Sequence, residues 1–185
     1  MRLVIVSGAT ATGKTYIAKN IADRMKYTLY SKDAIKEELF DKHLRTKHNY
    51  FWYEKKAKSI FFDEIKNSIS KDISIVVENN FMKNDKRRLS ALINKEVQVV
   101  EIYCIARGFT RLKRFIKRGE SELRHKAHYD RKWYPTVFIG CLLGYIGIKW
   151  PYGPLAITSK VLTLDTTDFS KVGMEQIVEF SKKHK

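Results

Sequence analysis

The chain has 185 residues, with 36 Lys and Arg against 20 Asp and Glu and a net charge of +16. That length favours one domain spanning 1–185, large enough to bury a core, and the charge suits an anionic partner such as ATP, a phosphorylated substrate or nucleic acid. A disulfide scaffold is excluded because Cys104 and Cys141 are the only cysteines. A membrane span is excluded because the longest apolar stretch, Val137 to Ile148, carries three glycines and falls short of the roughly 18 to 20 residues required. That stretch reads as buried or ligand-facing, and both cysteines read as core fillers. Met1 to Val4 run straight into a strand pattern without the charged and long apolar regions of a signal peptide, so a cytoplasmic protein is expected.

The first predicted strand, Leu3 to Val6, leads into Gly8-Ala9-Thr10-Ala11-Thr12-Gly13-Lys14-Thr15, the full pattern of a phosphate-binding loop. Ile17, Ile21 and Met25 follow at helical spacing. Backbone N–H groups can close around a phosphate chain only where the turn carries no Cβ, which Gly8 and Gly13 permit. Lys14 is expected to neutralise the outer phosphate oxygens and Thr15 to put its hydroxyl on Mg²⁺, while the helix N-terminus points its positive end at the anion.

Four further apolar runs read as strands: Tyr27 to Tyr30, Ile73 to Val77, Val97 to Ile105 and Val161 to Leu164. Helical patterns alternate with them at 33–40, 50–69, 85–94, 109–119 and 171–183. Such alternation indicates an α/β fold with a parallel sheet covered on both faces, whose ligand lies beyond the carboxyl ends of the strands. Asp33, just past the second strand, is therefore expected to accept the proton from a substrate hydroxyl as it attacks the γ-phosphorus; Ser31 or Asp33 could also cap the helix beginning there. Glu78, ending the third strand, is expected at the metal.

From 107 to 132 there are ten Lys and Arg against three Asp and Glu, a local excess of +7. Arg107, Arg111, Arg114 and Arg118 recur every three or four residues, and four cations on one helical stripe repel unless an anion faces them. A basic lid over the phosphates is expected, continued by Arg124, His125 and His128. Two histidines without further ligands do not make a zinc site. The aromatics at 50–53 and 133–150 are candidates for substrate choice, either by stacking or by packing beneath the lid.

Taken together, these residues resemble the small AAA-type P-loop kinases related to adenylate kinase and polynucleotide kinase. G-A-T-A-T-G-K-T resembles the phosphate loop, S-K-D-A-I-K-E-E-L-F the segment carrying the base, and V-V-E-N-N-F the third strand's end with Asn80 on the substrate side. R-F-I-K-R and R-H-K-A-H are similar to the arginine lid, and V-L-T-L-D-T-T-D-F to the last strand and the loop, here with Thr167, that passes the adenine. The resemblance implies a three-layer P-loop NTPase fold with five parallel strands in the order 2-3-1-4-5. Many relatives have aspartate where this chain has Glu78, and proline and glycine where it has Lys126 and Ala127.

The expected activity is ATP- and Mg²⁺-dependent phosphorylation of a hydroxyl on a small molecule, nucleoside or nucleotide. Lys14, Asp33, Arg114 and Arg118 are the expected catalytic residues. The basic excess also suits a polynucleotide 5′-hydroxyl kinase, and a third alternative is an ATP-regulated module that binds nucleic acid or protein and hydrolyses slowly.

Overall fold

The computed structural model describes residues 1–43, 49–121, 124–128, 134–145 and 153–183. In chain order these form β1 (Arg2–Gly8), α1 (Lys14–Met25), β2 (Thr28–Ser31), α2 (Lys32–Lys42), α3 (Tyr50–Ser70), β3 (Ile75–Glu78) and α4 (Lys83–Leu92). There follow β4 (Gln98–Ile105), α5 (Gly108–Glu120), α6 (Tyr134–Tyr145), β5 (Val161–Asp165), a 3₁₀ turn (Phe169–Lys171) and α7 (Met174–Lys182). All five strands are parallel and stand in the order β2-β3-β1-β4-β5. The fold class and strand order match the expectation.

β1 is central and buried along its whole length, so alternate residues feed opposite cores. Val4 and Val6 join Ile17, Ile21, Ile102 and Ile177 on the side of α1 and α7. Leu3 and Ile5 join Phe61, Ile65, Val77 and Leu89 on the side of α3 and α4. Each such side chain contributes about 1.5–3 kcal/mol on burial, which fixes the sheet register and hence the carboxyl-edge positions of Gly8, Ser31 and Glu78.

Helix starts place the polar residues. Asn49 accepts from the Trp52 N–H at 2.9 Å, starting α3 so that Tyr50 and Glu54 lie in its first turns. Ser31 precedes α2 but makes no side-chain cap; its hydroxyl is used elsewhere, as described below. The Val137–Ile148 stretch is not buried as a whole. Where described, it is helix α6, in which Cys141 is buried while Phe138, Ile139 and Leu142 are about half exposed. The small side chains lie inward because the backbone of Gly108 abuts that of Cys141: a Cβ added at Gly108 would lie 2.4 Å from the Cys141 carbonyl oxygen. Positions 146–148 lie outside the described residues, as do 122–123, 129–133 and 149–150 of the expected lid and aromatic segments. Among the described residues no helix is long and apolar enough to cross a membrane.

Candidate active site

The phosphate loop is held open by backbone that only glycine accommodates easily. Gly8 has φ +139°, and a Cβ there would meet the Cys104 carbonyl oxygen at 2.2 Å; Gly13 has φ +81°, and its Cβ would meet Phe169 Cζ at 2.3 Å. The Thr12 hydroxyl donates to the Ala9 carbonyl at 2.8 Å, and Thr166 Oγ1 donates to the Thr12 carbonyl, closing the loop from inside. Lys14 Nζ donates to Ala9 O at 2.9 Å and stands 4.0 Å from Glu78 Oε1. Thr15 is exposed at the helix start.

One cavity of about 380 Å³ joins the phosphate loop to the ends of β2 and β3, to α5 and to the Arg124–His128 segment. Thr10, Ala11, Lys14, Thr15, Asp33, Glu78, Asn80, Arg111, Arg118, Arg124 and His128 line it. Asn80 Nδ2 donates to Thr10 Oγ1 at 3.0 Å. Glu78 is buried, and Ser31 Oγ donates to its Oε2 at 2.7 Å. Burial pushes the Glu78 carboxyl above its ordinary range, against the pull of Lys14, and pushes the Lys14 ammonium below its ordinary range, against the pull of Glu78. Each group is thus short of a full partner, which a phosphate and its cation would supply. Oxygen donors from Thr15 and Glu78 fit Mg²⁺, a hard ion that takes most of its ligands from water and phosphates. Among the described residues no cluster of three or more His, Cys, Asp or Glu is assembled to hold a metal by itself.

Asp33 opens onto the same cavity with its side chain half exposed. Burial favours its protonated form, but the ammoniums of Lys32 and Lys36 and the bond from Lys32 outweigh this and hold the carboxyl well below the usual carboxylate range. It is ionised at any working pH. Such a carboxylate orients a hydroxyl well and is a weak proton acceptor, which suits a loose phosphoryl-transfer transition state.

The arginines do not act as one stripe. Arg111, Phe115 and Arg118 line the cavity, at the i, i+4, i+7 spacing of a single helix face. Arg114, on the edge of that face, is absent from the lining. Its guanidinium donates to the Thr166 and Thr167 carbonyls at 2.7 and 3.3 Å and lies 4.5 Å from the Phe169 ring centre. Arg111 donates to the Thr10 carbonyl at 3.1 Å, and Arg107 is an exposed cap residue whose N–H donates to Thr167 Oγ1. Backbone carbonyls therefore take up charge that the spacing alone left facing an anion. Thr167 sits with Arg114, outside the cavity lining. His128 bonds Glu37 at 2.7 Å and His125 bonds Asp41 at 3.1 Å, fastening the 124–128 segment to α2.

The sequence pattern did not single out Lys32, Lys36, Glu54, Lys58 or Asp85, all of which line the cavity. They are charged residues at the helical spacing of an ordinary solvated surface, and only the packing of α2 and α4 on α3 turns them inward. Asp85 is 1% exposed and paired with Lys58 at 2.7 Å; a buried acid in a K-N-D-K-R-R segment gives no sequence signal.

A phosphate loop, a strand-end acid and a cavity-facing arginine helix on a 2-3-1-4-5 sheet define a P-loop kinase-like protein. The chain belongs to the family described as chromatin associated protein KTI12, whose model matches residues 1–141. A solved structure from Chloroflexus aurantiacus, described as a "putative kinase", is similar over 100% of this chain and 98% of its own, at 27% identity and a TM-score of 0.85. A Janibacter sugar kinase (17% identity, TM-score 0.53, 97% of this chain and 91% of that one) and a Sinorhizobium meliloti gluconokinase (12%, 0.53, 97% and 88%) share the fold. Among curated proteins nothing matches the chain.

Proposed function

We propose that the protein is an ATP- and Mg²⁺-dependent kinase that transfers the γ-phosphoryl group to a hydroxyl of a small molecule, nucleoside or nucleotide. The observation that carries this reading is the opening of Lys14, Glu78 and Asp33 onto one cavity from three different strand ends. Lys14 and the loop amides bind the phosphates, Arg118 and Arg111 meet charge that develops on the transferred group, and Asp33 orients the acceptor hydroxyl. The acceptor oxygen forms its bond to the γ-phosphorus as the bond to the β-phosphate oxygen breaks, and the hydroxyl proton leaves through Asp33. Thr15 and Glu78 would hold Mg²⁺, which when bound offsets phosphate charge. Arg114 supports the nucleotide from outside the cavity by fixing the Thr166–Thr167 loop. A screen of hydroxyl acceptors with labelled ATP tests the reading, with Asp33→Asn as control; no labelled product from any acceptor class would overturn it.

The net charge of +16 and a family described as chromatin associated favour a second reading, in which the partner is nucleic acid. It acts there either as the 5′-hydroxyl acceptor or as a target gripped under ATP control with slow hydrolysis. ATP-sensitive binding with no phosphorylated product would select the binding module.

A further inference from the structure

We propose that Glu54 is a positioning residue that keeps the ammoniums of Lys32 and Lys36 from closing over Asp33, leaving one Asp33 oxygen open to the acceptor. The inference rests on Asp33 facing the acceptor, as in the reading above, and extends the site to a residue on α3. Lys32 and Lys36 are four apart on α2 and bracket Asp33, so both ammoniums lie on the face turned to α3. Glu54 Oε2 takes Lys32 Nζ at 2.8 Å and Glu54 Oε1 takes Lys36 Nζ at 2.5 Å. Lys32 also reaches Asp33 Oδ1 at 2.8 Å, and no partner among the described residues bonds Asp33 Oδ2.

The exposures follow this division. The Lys36 side chain is 2% exposed, that of Glu54 27% and that of Asp33 50%. Lys36 Nζ also lies 5.0 Å from the Tyr50 ring centre. Two cations and two carboxylates alternate. With Glu54 neutral, two ammoniums would share the single carboxylate between them, and both Asp33 oxygens would be drawn into ion pairs. A buried lysine without its anion is costly, so Lys36 would turn to Asp33 or lose its proton. Burial, and then the charge of Lys32, already push Lys36 below its ordinary range, while Asp33 and Glu54 oppose this. The charged or titratable groups around it are Lys32 and Asp33 on α2, Tyr50 and Glu54 on α3, and His128.

The test compares the full-length protein with Glu54→Gln and Glu54→Asp. Phosphoryl transfer is read as kcat and as KM for ATP, and ¹³C-labelled lysine and aspartate signals are followed by NMR as pH is raised. Glu54→Gln should lower kcat roughly 10- to 100-fold, the loss seen when groups that orient metal ligands are removed, with KM for ATP within about twofold. Lys36 should lose its proton at lower pH than in the parent, the Asp33 carboxyl signal should move, and Glu54→Asp should restore part of kcat. A merely structural Glu54 would lower the melting temperature and leave both NMR signals of the folded protein unchanged, which overturns the proposal. NMR shifts as expected with no acceptor phosphorylated by the parent protein would sink the kinase reading and leave the clamp standing. Unchanged signals in an active kinase would do the reverse.

Discussion

Phe169 stands edge-on against Gly13, so that a methyl group added to the glycine would lie 2.3 Å from the ring's Cζ. The loop after β5 thereby sets the curvature of the phosphate loop. Gly13→Ala adds both a clash and a positive-φ strain, together about 1–3 kcal/mol. For a chain of this size that lowers the melting temperature by roughly 2–12 °C and weakens ATP binding at the same time. Calorimetry with and without ATP checks both; an unchanged melting point would show that the ring yields freely.

Lys14→Ala should leave the fold intact by circular dichroism, since among the described residues the buried ammonium has only the Ala9 carbonyl and a distant Glu78 to satisfy it. Phosphoryl transfer should fall by about 10²–10³, as for removal of one preorganised charge at a reacting centre. Turnover close to that of the parent would end the assignment of the loop.

The two lid arginines should separate. Arg118→Ala removes a guanidinium from the cavity and should lower kcat. Arg114→Ala releases the Thr166 and Thr167 carbonyls and the Phe169 ring, and should raise KM for ATP and lower the melting temperature. Identical kinetic signatures would restore the single stripe that spacing predicts.

Asp33 gives the pH dependence its sign. Its folded pKa lies below the unfolded value near 3.9, so its contribution to stability is complete above that value and is lost as pH falls further. The phosphorylation rate should accordingly show no acid limb from Asp33 at pH 5 or above. A limb that appears there and vanishes in Asp33→Asn contradicts the charge arrangement around it.

If nucleic acid is the partner, affinity for an oligonucleotide should fall with salt at a slope near 0.7 per phosphate contacted on a single strand. Titrations from low to moderate ionic strength measure it. A flat response would leave the basic excess without that role.

Much of the fold was legible because a parallel sheet buried on both faces writes itself as Val- and Ile-rich runs, and because the phosphate loop is a contiguous motif. The positions of Asp33 and Glu78 on the cavity were legible for a related reason, standing at strand ends. The strand order came from resemblance alone. The inward placement of Glu54 and Asp85 was not legible, since it depends on α3 and α4 packing against other helices, and an exposed or an inward carboxylate has the same helical spacing in one dimension. Arg114 leaves the stripe that spacing predicts, because spacing gives a face and not the carbonyls that compete for it. Phe138, Ile139 and Leu142 lie outward and not in the core because Gly108 admits backbone, not bulk, at its contact with α6.

Ser31 ends the edge strand, yet its hydroxyl belongs to Glu78 on the neighbouring strand. The helix that carries Asp33 begins one residue later, so it is moored to the carboxylate that would face the metal. Should the acceptor side shift when its ligand arrives, the mooring would pass that movement to the nucleotide side within one bond, and loading of either half would be felt by the other.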